Sequence, residues 1–147
     1  MFLGQYEHSI DEKGRLTVPF RFRSLLEDGA YIMRGLDGNL WLMPTADFQR
    51  ISQKVAKMNI ANPTAREFKR LVFSYAEYAK PDETGRILIP QLLRQLAELD
   101  SSVVVVGAGT YVEIWSPERW ALQSNKMSDI EATTQKFAEL DLSDLSP

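Results

Sequence analysis

The chain has 147 residues, 44% apolar and 25% charged, which is the balance of a water-soluble globular protein. It has no cysteine, which excludes disulfides and thiolate metal sites, and it shows neither a membrane-length apolar run nor a secretory leader, features that suit the cytoplasm. The net charge of −3 conceals a gradient: residues 1–80 carry 12 Lys and Arg against 9 Asp and Glu, and residues 81–147 carry 5 against 11, so a polyanion would be met by the N-terminal half.

In chain order, a first strand is predicted over residues 5–10. It turns at Glu12-Lys13-Gly14 and returns over 15–18 as a hairpin. Asp11 can bond the backbone two residues on, which fixes that turn. Pro19 is expected at the first position of a short helix over 19–26, where no amide proton is needed. A strand pair over 31–36 and 39–43 follows around Asp37-Gly38. Thr45 is the expected N-cap of a helix over 46–58. Asn62-Pro63 opens another helix, to about residue 76, in which Phe68, Leu71, Val72 and Tyr75 recur at i, i+3, i+4, i+7.

From Asp82 the plan repeats. A turn ends at Gly85, and a strand leads to Pro90 and a helix over 90–99. Strands over 103–107 and 111–115 flank Ala108-Gly109-Thr110, and Ser116-Pro117 opens a helix. A last helical stretch is expected over 128–140, and an acidic, frayed tail over 141–147. The repeat is explicit in the residues. Asp11-Glu12-Lys13-Gly14-Arg15-Leu16-Thr17-Val18-Pro19 and Asp82-Glu83-Thr84-Gly85-Arg86-Ile87-Leu88-Ile89-Pro90 are identical at five of nine positions. The implied layout is a first repeat over 1–58, a connecting helix over 59–76, a second repeat over 77–127, and a C-terminal helix and tail over 128–147. Each copy is too small to bury a stable core alone, but two that exchange hairpins can share one.

The doubled Asp-x-x-x-Arg, each followed by aliphatic-x-aliphatic-Pro, resembles the MraZ family, and the resemblance spans nearly the whole chain. It implies an α+β fold of two pseudo-symmetric AbrB-like swapped-hairpin repeats, with a shared β-barrel-like core and flanking helices. It also implies a closed homo-oligomeric ring, associated with the nucleoid. Such a ring would bind short direct repeats in double-stranded promoter DNA and repress the division and cell-wall gene cluster, including its own promoter. No cofactor, metal, small-molecule substrate or membrane partner is implied.

Comparison of the copies selects the site residues. Lys13, Arg15, Arg21, Arg23 and Arg34 of the first stand where the second has Thr84, Arg86, Leu92, Arg94 and Val106. Arg15 and Thr17 share one face of their strand, while positions 87–89 are apolar on both faces and are expected to be buried. The basic first hairpin is therefore expected to bind DNA through Lys13, Arg15, Thr17, Arg21 and Arg23. Asp11, Asp82 and Arg86 are read as structural or secondary, Arg86 paired with Asp82. An Asp11–Arg15 pair that only fixes the loop is the competing reading of Arg15. His8, the lone histidine, has no second ligand for a metal. The Asp-Glu pairs are explained by turn chemistry, so no enzyme is expected, and Trp41, Trp115 and Trp120 are read as core anchors. The alternative function is an antitoxin-like protein-binding module. That class usually adds a disordered arm, whereas here the second half completes a repeat.

Overall fold

In a computed structural model the described residues are 1–145, and they fall into two compact units, Met1–Pro117 and a second that begins at Glu118. The first unit contains β1 (Gln5–Ser9), β2 (Arg15–Thr17), α1 (Phe20–Leu26), β3 (Ala30–Arg34), β4 (Leu40–Pro44), α2 (Thr45–Ala56), α3 (Pro63–Tyr75), β5 (Glu77–Tyr78), β6 (Arg86–Leu88), α4 (Gln91–Leu96), β7 (Ser102–Gly107) and β8 (Val112–Trp115).

Strand pairing crosses between the copies. Strands β1 and β7 pair from Gln5↔Val106 to Ser9↔Ser102, and β5 of the second copy pairs with β3 of the first. Strands β4 and β8 join the two β3–β4 and β7–β8 hairpins. The result is an antiparallel sheet ordered β1-β7-β8-β4-β3-β5, beside a separate two-stranded ribbon of β2 and β6. The six-stranded ladder is open, with β1 and β5 at its edges, so hydrogen bonding does not close it into a barrel.

The expected first hairpin needs correction. The turn forms, with Gly14 N–H donating to Asp11 O at 3.0 Å and Asp11 N–H to Arg15 O at 2.9 Å. Beyond it, β1 and β2 share a single bridge, Ile10↔Leu16. They then diverge because each has a longer partner in the other copy.

Alternation along the strands decides the layers. Ala30 and Ile32 of β3, with Leu40 and Leu42 of β4, face a core completed by Leu16 and Val18, Ile87 and Ile89, Phe22 of α1 and Leu93 of α4. Met33 and Met43 point the other way, into a second core with Phe48 and Val55 of α2 and Val72 of α3. Both faces of β3 and β4 are thus covered. Ring contacts tighten each core: Phe2 and Tyr6 meet Phe22 edge-on, and Tyr31 stacks on Phe48 at 4.3 Å. A polar tie crosses the copies at the sheet centre, where buried Asn39 donates to Glu113 Oε2 at 3.0 Å. Glu113 Oε1 accepts from Nε1 of buried Trp115 at 3.1 Å. Trp41 is half-buried in the second core against Tyr111.

Several helix ends differ from expectation. Pro19 and Pro90 stand one residue earlier, as N-caps of α1 and α4. Thr45 is not a cap, because β4 runs directly into α2 and leaves Pro44 in that role. The Thr45 N–H instead donates to Gly29 O at 3.2 Å, and its buried hydroxyl has no partner among the described residues. Asn62 does cap α3, accepting from Thr64 N–H at 2.9 Å.

Helix α4 stops at Leu96, short of the expected residue 99. Glu98 adopts φ 52°, the left-handed conformation that ends a helix, with Leu99 N–H bonded to Arg94 O and Glu98 N–H to Gln95 O. Glycine normally fills that position, so the sequence carried no stop signal.

The second unit holds most of α5 (Pro117–Ser128), then α6 (Ile130–Phe137) and a 3-10 turn at Ser143–Leu145. Asp129 caps α6 by accepting from Ala132 N–H at 3.1 Å, and the helix is shorter than the expected 128–140. Trp120 is half-buried in α5 rather than a core anchor. Of the expected frayed tail, Asp141 forms a local turn with Ser143, and the last two positions lie outside the described residues.

A side chain in the left-handed region costs about 1 kcal/mol relative to glycine. Glu98→Gly should therefore raise the stability of the protein by about 0.5–1 kcal/mol, read as a higher midpoint in urea with unchanged slope.

Candidate nucleic-acid interface

The site begins with two turns built alike. Asp11 Oδ1 accepts from the amides of Lys13 and Arg15 at 3.0 and 2.9 Å, and Asp11 Oδ2 accepts from Arg15 Nε at 2.8 Å. Asp82 repeats this with Thr84 and Arg86 at 3.0 and 2.9 Å, and with Arg86 Nε at 3.1 Å. It also accepts from the Thr84 hydroxyl at 2.9 Å. Gly14 and Gly85 close the turns at φ 83° and 78°, a conformation that strongly favours glycine. The Asp–Arg pairing considered for Arg15 is therefore present, and identical in both copies. It engages Nε, and among the described residues neither Nη group of either guanidinium has a hydrogen-bond partner.

From these turns β2 and β6 run antiparallel, with Arg15↔Leu88, Leu16↔Ile87 and Thr17↔Arg86 opposed. Two backbone bonds lengthen the ladder at its ends, Val18 N–H to Gly85 O at 2.8 Å and Ile89 N–H to Gly14 O at 2.9 Å. The inward face is Leu16, Val18, Ile87 and Ile89, all buried. The outward face is Arg15, Thr17, Arg86 and Leu88. Leu88 is 57% exposed, which corrects the expectation that positions 87–89 are buried on both sides. Apolar character on both faces signals burial only where both faces have a neighbour, and this ribbon has one on its inner side alone.

The predicted site residues distribute as follows. Arg15 and Thr17 lie on the outer face, half-buried, with Lys13 exposed at the turn. Arg86, separated from Arg15 in the sequence reading, shares that face. The two side chains are almost equally accessible, at 31% and 34%. Arg21 is exposed on α1.

Arg23 is engaged otherwise. Its Nε donates to Val18 O at 3.2 Å, its guanidinium covers the Phe20 ring, and a Cβ on Gly85 would collide with it. Arg94 mirrors this in the other copy. It donates to Ile89 O at 3.0 Å, and a Cβ on Gly14 would lie 2.8 Å from its Cζ. Each arginine thus lies against the turn glycine of the other copy. The equivalence of positions 23 and 94 under the repeat was the available signal for this reciprocity.

Among the described residues, no helix is long and apolar enough to cross a membrane, and no group of three or more His, Asp or Glu side chains is arranged to hold a metal ion.

Comparison with known proteins agrees with the internal repeat. A family model described as "MraZ protein, putative antitoxin-like" matches residues 1–71 and again 72–142. A Thermomicrobium roseum protein named transcriptional regulator MraZ is 44% identical over 87% of this chain and 90% of its own length. Proteins of the same name from Roseiflexus castenholzii and Moorella thermoacetica are 42% and 43% identical, over 95% and 97% of this chain and 95% and 100% of their own.

The turn carboxylates are acidified by the bonds they accept. The Arg86 amide, with smaller contributions from Thr84 and the Arg86 charge, holds Asp82 at about 2, below the usual 3.8. The Arg15 amide is the first cause of the lowering at Asp11. A depressed folded-state value means that the turn is favoured above the unfolded value and loses that preference as pH falls through the folded one. Carboxyl chemical shifts should accordingly give an Asp82 midpoint near 2. The ribbon amides should remain unperturbed from neutrality to below about pH 3.9, where an ordinary aspartate would already be half protonated, and should respond only as pH approaches the Asp82 midpoint.

Proposed function

Because the chain belongs to the MraZ family, we propose that it is a DNA-binding transcriptional regulator that reads the major groove with the outer face of the β2–β6 ribbon. One observation carries this reading: Arg15 and Arg86 stand on the same exposed face of a narrow ribbon, each braced through Nε by an aspartate of its own turn. A two-stranded ribbon fits the roughly 12 Å major groove, and an arginine with free Nη groups suits the O6/N7 edge of guanine. The brace limits the rotamers each arginine must give up on binding. Lys13 and Arg21, exposed beside the ribbon, are assigned to phosphates, and Thr17 to a base edge or sugar. Arg23 is assigned to holding the second turn, and Asp11 and Asp82 to orienting their arginines.

The finer reading is that the protein represses the division and cell-wall gene cluster, its own promoter included, by binding short direct repeats while associated with the nucleoid in the cytoplasm. It rests on the family resemblance. One ribbon offers few cations, so several identical subunits in a closed ring, each on one repeat, would raise affinity through avidity.

Arg15→Ala should weaken binding to duplex DNA from upstream of the coding sequence by at least about tenfold, the loss of one bidentate contact. Oligomer mass by light scattering should be unchanged, and a gel shift at wild-type strength would remove Arg15 from the interface. A salt series should give a linear fall of log affinity with log salt concentration. A flat series would contradict phosphate contact by Lys13 and Arg21.

A further inference from the structure

We propose that Leu88 contacts the C5 methyl of a thymine, and that this contact gives the ribbon a fixed direction on DNA. The assignment rests on the major-groove reading above and adds to it a base and a polarity.

A single exposed leucine is ordinary, but Leu88 has an unusual setting. It is directly opposite Arg15 in the ladder and on the same outward face as Arg86. On one face of an antiparallel pair, opposed side chains are about 5 Å apart. An arginine at a guanine edge would therefore carry Leu88 to the neighbouring base pair. Of the four bases only thymine presents a methyl group in the major groove. A 57% exposed aliphatic side chain among guanidiniums matches that group and none of the polar base edges.

The repeat supplies the polarity. Rotation about the local two-fold axis exchanges Arg15 with Arg86 and Leu16 with Ile87, so the arginines and the inward face keep their chemical character. The same rotation exchanges Leu88 with Thr17, which is shorter, half-buried and hydroxylated. Arg21 and Leu92 differ in the same sense at the flanking helices, and both are exposed. The difference between the copies is thus displayed outward. A ribbon with two equivalent arginines alone would accept a palindrome in either orientation. The Leu88/Thr17 difference makes one orientation better, so the preferred box is non-palindromic and has a thymine beside the guanine met by Arg15.

The test starts from a pool of random-sequence duplexes selected by the full-length protein. Each thymine of the enriched box is then replaced by deoxyuridine, which removes the methyl and leaves pairing intact. One replacement should weaken binding roughly fourfold, the value of one buried methyl, and Leu88→Ser, which has no methyl to offer, should bind the thymine and uracil boxes equally. Leu88→Met, which keeps an apolar side chain, should retain the discrimination. If no replacement affects the native protein, or if Leu88→Ser keeps the full discrimination, the assignment is overturned while sequence-specific binding stands. If no box is enriched, the regulator reading falls and this assignment with it.

Discussion

Neither copy of the repeat can close a core alone, and the architecture of residues 1–117 follows from that constraint. A unit of some 45 residues buries too little apolar surface to offset the entropy of ordering its chain. The solution is exchange. Strand β1 leaves its own copy for β7, β5 leaves for β3, and β2 and β6 leave both hairpins to pair with each other. Leu16 and Ile87 are buried because they meet across this exchange, over a floor supplied by β3, β4, β7 and β8. The exposed ribbon is thus a by-product of a shared core, held along its inner side and bare along its outer side.

Much of this was legible in the residues because repetition is a strong signal. Two matching turns located Asp11 and Asp82, Gly14 and Gly85, and the prolines that start α1 and α4. Period-2 alternation correctly paired Leu16 with Val18 as inward and Arg15 with Thr17 as outward. The failures have specific physical causes. Leu88 was assigned to the interior because hydropathy records what a side chain prefers, not whether a neighbour exists to cover it. Strands β1 and β2 were read as a regular hairpin because a turn reports only that the chain reverses, and their ladders are with residues some 70 to 100 positions away. Thr45 was read as a cap because nothing local reveals that β4 passes into α2 without a loop. The engagement of Arg23 with Val18 O and Gly85 is a long-range property that its charge does not reveal.

The local electrostatics bear on how an acidic protein would present the proposed DNA-reading surface. Each ribbon arginine is matched by an aspartate, so the pairs add little net attraction at a distance. Their contribution is directional, since a guanidinium held at Nε presents a fixed pair of donors. On the proposed reading, long-range attraction falls to Lys13 and Arg21, which have no such counterpart among the described contacts at their positions. Recognition and attraction would then be divided between different side chains, and a change that affects one need not affect the other.

The reciprocal packing of Arg23 on Gly85 and Arg94 on Gly14 has a consequence for how the chain can vary. A change in the short helix of one half is transmitted first to the turn of the other. The halves consequently cannot vary independently, although three of the five cations compared in the first copy stand where the second has neutral residues. Gly14 and Gly85, at φ 83° and 78°, admit little other than glycine, so the freedom to vary lies with Arg23 and Arg94, and a change at either is felt at the opposite turn. A hybrid that joins halves from two diverged relatives would have to match these two contacts as well as the crossing ladders.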